Sequence, residues 1–123
     1  MTYLILKYLH VLGATVILGT GMGIAFFMLA AHLTRDAAFV ARTAGIVVTA
    51  DFLFTATAVV AQPLTGYWLA RETGVDLLTG WLGAALLLYG VAGLFWIPVV
   101  VIQMRMRDLA VAAVLRGEAL PAA

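Results

Sequence analysis

The fold is decided by the stretch YLHVLGATVILGTGMGIAFFMLAAHLT, residues 8–34, which runs for 27 residues without an Asp, Glu, Lys or Arg. Two further stretches share this property, residues 52–70 and residues 77–104. A helix needs about 20 mostly apolar residues to cross the hydrocarbon core of a bilayer. The sequence therefore predicts an all-α integral membrane bundle of three transmembrane helices, forming a single domain over residues 1–123 in a lipid bilayer.

The composition agrees and excludes several kinds of site. Charged residues make up 11% of the chain, whereas a soluble domain has about 25%. The chain contains no cysteine and no serine, which excludes disulfides, thiolate metal sites and Cys or Ser nucleophiles. A net charge of +1 offers no electrostatic footprint for a nucleic acid.

The span boundaries follow from the positions of the charged residues. We expect helices from about Tyr3 to Ala31, from about Thr43 to Ala70, and from Trp81 to about Gln103, joined by connections at 33–42 and 71–80. The third helix is expected to continue as an amphipathic, surface-lying extension through Arg116, ended by Gly117 and Pro121.

The distribution of positive charge predicts the orientation. The side that holds the first connection and the C-terminal tail carries five arginines: Arg35, Arg42, Arg105, Arg107 and Arg116. The opposite side carries only Lys7 and Arg71. Because cytoplasmic connections are enriched in Lys and Arg, the N-terminus is expected outside and the C-terminus in the cytoplasm.

Asp51 is the most costly residue for a membrane span, because a carboxylate at the centre of a helix costs roughly 2.5–3.5 kcal/mol on insertion scales. With a second helix starting at Thr43, it would lie about two turns inside the cytoplasmic end. Arg105, Arg107 or His32 could then serve as its partner. A structural ion pair and a functional, proton-linked site are equally favoured for this carboxylate.

His10 lies one helical turn after Lys7 and has apolar neighbours. An antiparallel second helix brings Gln62 to a similar depth, where its amide could bond the ring nitrogen that faces away from a ligand. Pro63 should leave the carbonyl of Val59 without its helical donor. His32 is about 33 Å further along the first helix and is interpreted as an interfacial histidine. The two histidines cannot supply a zinc site, but one is enough for haem.

The glycines allow close approach. Gly19 and Gly23 form a small-xxx-small pattern, and Gly83, Gly90 and Gly93 add a second smooth face. Such faces can pack helices of one chain, form a dimer seam or accommodate a flat macrocycle. A two-fold homodimer is expected, since this is the commonest closed assembly.

The first helix, LKYLHVLGATVILGTGMGIAFFMLAAH, resembles that of the bacterial J-type protoporphyrinogen IX oxidase family, with the same Lys-x-x-His step, small-residue turn and later histidine. The resemblance implies a haem b-containing helical bundle of the bacterial inner membrane. Within it His10 would be the haem iron ligand, and Lys7 a propionate partner. With Gly13 of the small-residue turn, and with Gln62 from the depth argument above, these residues make up the expected cofactor-binding set.

A second resemblance covers nearly the whole chain. The stretches TADFLFTATAVVAQPLTG and WIPVVVIQMRMRDL are similar to those of a family of short bacterial predicted integral membrane proteins, which implies the membrane fold and no particular activity.

Two functional hypotheses follow. The first is a haem b-binding protein of the inner membrane that takes part in electron transfer or porphyrin redox chemistry. Its partner would be a redox protein or a quinone, and the sequence leaves open whether the protein is an enzyme. The alternative is a non-catalytic membrane protein, either a small transporter subunit or a scaffold of a membrane complex.

Overall fold

The computed structural model describes residues 1–119, and within that range it consists of helices and short connections without a strand. The elements are α1 (Thr2–Thr34), α2 (Ala37–Ala50), a π turn (Asp51–Thr55), α3 (Ala56–Thr73) and α4 (Gly80–Arg116). Because α2, the π turn and α3 run on without a break, the described chain has three helices long and apolar enough to cross a membrane. The predicted all-α bundle with three spans is confirmed. Pro121 lies outside the described residues.

The first connection is much shorter than predicted. Only Arg35 and Asp36 separate α1 from α2. Arg35 adopts the left-handed conformation, with φ of 55°, and its N–H donates to the carbonyl of His32. Asp36 Oδ1 accepts from the N–H groups of Ala38 at 2.9 Å and Phe39 at 3.2 Å.

The prediction of a connection over 33–42 and a second helix from Thr43 was therefore wrong. An aspartate at the N-cap satisfies the first free N–H groups of a helix, and alanines at 37 and 38 are strong helix formers. Polar residues in this stretch begin a helix instead of interrupting it. As a result Asp51 lies 14 residues after Ala37, about 21 Å along the helix axis. This is well inside a hydrocarbon core about 30 Å thick.

The packed core is concentrated at one end of the bundle. One buried cluster consists of Ile24, Met28, Ala44 and Val47, and a second of Ala31, Val40 and Ala110. These residues come from the second half of α1, from α2 and from the second half of α4. Small side chains such as these alanines allow helix axes to approach closely, which is how membrane helices gain van der Waals contact.

The extension of α4 takes part in this core. The helix does continue to Arg116, as expected, but Ala110 and Ala113 in its last turns are buried. Gln103 is buried as well, with 7% of its surface exposed.

The first half of α4 behaves differently from the second. Every buried residue of α4 lies at or after Val100, and α4 packs mainly along α2. The first half stands away from α1 and α3, and Leu87, Leu88 and Leu94 are exposed there. This separation opens two cavities between the helices, one near the N-terminus of α1 and one near the middle of the bundle.

Candidate functional site

The larger cavity has a volume of about 680 Å³, which lies within the range of roughly 300–1,000 Å³ found for small-molecule sites. It is bounded by the start of α1, the second half of α3 and the start of α4. Apolar and aromatic side chains dominate its walls, and Lys7, His10 and Gln62 are among its few polar residues. We call it the histidine cavity.

His10 is held by α3 through both ring nitrogens. Nδ1 lies 2.9 Å from Thr65 Oγ1, and Nε2 lies 3.2 Å from Gln62 Nε2. The Thr65 hydroxyl lies within donating distance of the backbone carbonyls of Ala61 and Gln62, at 2.9 and 3.1 Å. Its single proton is thus engaged there, so Thr65 Oγ1 accepts from His10.

The hydrogen-bond network therefore assigns the tautomer of His10. Nδ1 carries the proton and donates it to Thr65, while the lone pair of Nε2 accepts from the amide of Gln62. A neutral imidazole with its second nitrogen fixed by an oxygen is the form in which histidine binds metals. Nε2 is consequently the atom of His10 available for a ligand, once the amide of Gln62 moves aside.

The structure brings His10 and Gln62 together, and it adds Thr65 as a second partner of the His10 ring. Gln62 contacts the ligand-competent Nε2, whereas Thr65 orients the ring from Nδ1. The hydrogen bond expected between Gln62 and a ring nitrogen of His10 is present, and which of the two nitrogens faces a ligand stays a prediction. Thr65 was missed by sequence reasoning. Its position three residues after Gln62, on the same helix face, is the signal that could have revealed it.

Two glycines make room for these side chains. A Cβ atom placed on Gly66 would lie 3.1 Å from His10 Cε1, and one placed on Gly13 would lie 2.5 Å from Gln62 Oε1. The second distance is too short for a real contact. Gly13 is thus the small residue against which Gln62 packs. Gln62 Oε1 is buried there without a hydrogen-bond partner among residues 1–119.

Lys7 is exposed at the edge of the histidine cavity, with Nζ 5.8 Å from the centre of the Tyr3 ring. An ammonium group at this distance is attracted by the aromatic face. The interaction places a positive charge at the rim, one helical turn from His10.

Pro63 leaves the carbonyl of Val59 without its helical donor, as the sequence predicted, and the structure shows which group replaces it. Tyr89 Oη donates to the carbonyl oxygen of Val59 at 2.6 Å. Tyr89 comes from α4 and lines both cavities. This bond links α4 to α3 across the region where the two helices otherwise separate.

Asp51 lines the smaller cavity and is only 3% exposed. Its Oδ1 accepts a long hydrogen bond of 3.3 Å from Trp96 Nε1. It forms no ion pair with any side chain of residues 1–119; the pairs found there are Arg107–Asp108 and Arg116–Glu118.

The predicted partners of Asp51 were therefore wrong. Arg105 is exposed and forms no ion pair with Asp51 among the described residues. His32 is exposed beside the first connection. The error comes from the length of that connection, because an earlier start of α2 raises Asp51 to the level of Trp96. Among residues 1–119 no three His, Cys, Asp or Glu side chains come together to hold a metal ion.

Four of the glycines on the two predicted smooth faces have open space beside them. A Cβ atom on Gly19, Gly23, Gly90 or Gly93 would meet no other atom within 4 Å. These positions consequently do not serve close packing between helices of the described chain, and they remain open to lipid or another molecule.

A family model described as "Predicted integral membrane protein (DUF2269)" matches residues 4–123. The chain belongs to the DUF2269 family. This confirms the resemblance noted over the whole chain and the assignment as an integral membrane protein. No curated protein and no solved structure matches the chain.

Proposed function

We propose that this DUF2269 protein binds haem b in the histidine cavity, with Nε2 of His10 as the axial ligand of the iron. The observation that carries the proposal is the placement of His10, whose Nδ1 lies 2.9 Å from Thr65 Oγ1 and whose Nε2 lies 3.2 Å from the Gln62 amide at the histidine cavity. Haem requires only one or two axial side chains and a slot between helices. The absence of a three-ligand cluster therefore does not count against it.

The surroundings of His10 fit a macrocycle. The cavity has the volume of a ligand site, and its walls are mostly apolar. The hydrogen bond between the Gln62 amide and Nε2 of His10 is long, at 3.2 Å, and Gln62 Oε1 has no partner among residues 1–119. A stronger ligand can displace its amide at little cost. Gly13 leaves space beside it.

Each residue then has a defined task. Nε2 of His10 would bind the haem iron, Thr65 would hold the imidazole ring in orientation, and Lys7 at the rim would compensate a propionate charge. Bound haem supplies one-electron redox chemistry, with a potential that depends on its axial ligands and on burial. The proposal extends to electron transfer or porphyrin chemistry with a redox partner or quinone in the bacterial inner membrane.

The resemblance of the first helix to the J-type protoporphyrinogen IX oxidase family supports haem binding through Lys7 and His10. The proposed homodimer could supply a second axial ligand. The open Gly19 and Gly23 positions suit a contact between two copies.

The test is the absorption spectrum of protein purified in mild detergent from cells supplied with haem. We expect a Soret band and visible bands that change on reduction. His10→Ala should abolish or strongly shift these bands, and His32→Ala should leave them unchanged. Circular dichroism of each variant shows that the helices are intact.

Two results would overturn the proposal. One is a wild-type spectrum from His10→Ala, and the other is a colourless wild-type protein from haem-supplied cells. The second result would favour the alternative function, a non-catalytic transporter subunit or scaffold.

A further inference from the structure

The smaller cavity, of about 360 Å³, contains polar groups that the haem proposal does not use. It lies between α1, the π turn and the middle of α4. Asp51, Thr55 and Gln103 all line it, and their exposed fractions are 3%, 4% and 7%. We call it the carboxylate cavity.

Each of these three side chains has a buried oxygen without a hydrogen-bond partner among residues 1–119. The atoms are Asp51 Oδ2, Thr55 Oγ1 and Gln103 Oε1. Buried side-chain polar atoms nearly always have a partner. Three such oxygens on one cavity, one from a carboxyl group and two from neutral side chains, are candidate ligands for a bound ion.

The backbone contributes to this grouping. Asp51 and Thr55 are the first and last residues of the π turn, and a separation of four residues places them on one face of the helix. Gln103 follows Trp96 by seven residues, so both lie on the same face of α4. The Trp96 bond to Asp51 Oδ1 leaves Oδ2 free.

We infer that the carboxylate cavity binds one alkali metal cation of the Na⁺ class through Asp51, Thr55 and Gln103. Carboxylate, hydroxyl and amide oxygens are hard ligands suited to hard cations, while transition metals favour nitrogen or sulfur. A single carboxylate neutralises a monovalent ion, whereas Ca²⁺ takes 6–8 oxygen ligands, commonly with several carboxylates. In many secondary transporters, coupling ions bind where a transmembrane helix is interrupted.

The arginines do not compete for this site. Arg107 is paired with Asp108 at 2.8 Å, and Arg105 is exposed away from Asp51. The carboxylate therefore has no protein cation to neutralise it within the described chain. A mobile cation supplies the missing charge.

Trp96 provides a direct reporter. The chain has three tryptophans, so a Trp68→Phe/Trp81→Phe protein retains only Trp96, which contacts Asp51. This protein, in mild detergent at fixed pH and ionic strength, is titrated with NaCl, LiCl or KCl in exchange for choline chloride. We expect a saturable change in Trp96 fluorescence with NaCl and a parallel rise in melting temperature, with no change in choline chloride.

Variants in the same background assign the ligands. Asp51→Asn preserves the size of the side chain and an acceptor for Trp96, and it should eliminate the response to Na⁺. Thr55→Val should raise the half-saturating NaCl concentration roughly tenfold, as expected for one lost polar contact to a charge. Glu72→Gln, at an exposed acid of α3, should leave the titration unchanged.

The inference is overturned if NaCl and choline chloride give the same fluorescence and melting temperature, or if Asp51→Asn keeps the response to Na⁺. A response to pH alone, without any response to alkali cations, overturns it too and assigns a proton to the carboxyl. The haem spectrum is an independent measurement, so failure of one proposal does not imply failure of the other.

Discussion

Replacing Tyr89 by Phe tests whether the Tyr89 hydroxyl stabilises the fold by donating to the carbonyl of Val59, which Pro63 leaves without a helical donor. The substitution removes only the hydroxyl that donates to the carbonyl of Val59 at 2.6 Å. A net hydrogen bond contributes about 1 kcal/mol to stability, and measured interhelical bonds in membranes average about 0.6 kcal/mol, with a maximum near 1.7. The free energy of unfolding should therefore fall by about 1 kcal/mol, because the carbonyl lacks a helical donor.

The second substitution, Pro63→Ala, makes the test specific. An alanine at 63 has a backbone N–H that can donate to Val59, so the hydroxyl of Tyr89 is no longer needed by that carbonyl. In this background Tyr89→Phe should cost less than half of its effect in the native chain. A double-mutant cycle then gives a coupling energy of roughly 0.5–1 kcal/mol.

The assay is equilibrium unfolding in mixed micelles with increasing SDS, followed by circular dichroism. Tyr67→Phe is the matched control, since the Tyr67 hydroxyl only accepts from the exposed Arg71 at 3.2 Å; its effect should be small. The reasoning would be refuted if Tyr89→Phe lowered the free energy of unfolding equally in the native chain and in the Pro63→Ala variant. It would also be refuted if Tyr89→Phe had no effect in the native chain.

Three further predictions follow from the described geometry. Asp36→Ala should lower the free energy of unfolding by about 1 kcal/mol through loss of the N-cap, whereas Glu72→Ala should change it by less than about 0.5 kcal/mol; equal effects in SDS unfolding would contradict the capping role. Gly90→Ala should stabilise α4 by up to about 1 kcal/mol, because its added methyl meets open space. Gly66→Ala should gain less, because its methyl crowds His10 at 3.1 Å, and an equal gain would exclude that contact. A C-terminal alkaline phosphatase fusion should be inactive and a fluorescent protein fusion active if the tail is cytoplasmic; the opposite pattern rejects the proposed orientation.

The three spans could be predicted from the sequence because long uncharged runs have few alternatives. Their boundaries were less accessible. The stretch around Arg35 and Asp36 has the composition of a connection, and the capping role of Asp36 together with the alanines after it explains why the helix resumes after two residues. That one error moved Asp51 by about two turns and led to the wrong partners.

The candidate site was predictable in part. Counting residues along two antiparallel helices placed His10 and Gln62 at a similar depth. It could not show which ring nitrogen of His10 contacts Gln62 and which contacts Thr65. Tyr89 and Trp96 are ordinary aromatics in a membrane sequence. Their partners depend on how α4 rotates about its axis, and a pattern without strong polarity on one face does not fix that rotation.

The π turn determines which way the side chains of α3 point around the axis of the second span. Each residue of an α-helix advances the chain by about 100° and 1.5 Å, and the π turn, with the N–H of Ala56 on the carbonyl of Asp51, holds one residue more than an α turn. Winding the same residues as a uniform α-helix, with no residue removed, would rotate α3 by about 100° relative to α1. Gln62 and Thr65 would then turn away from His10. One extra residue in the turn that carries the carboxylate thus determines which face of α3 meets the histidine.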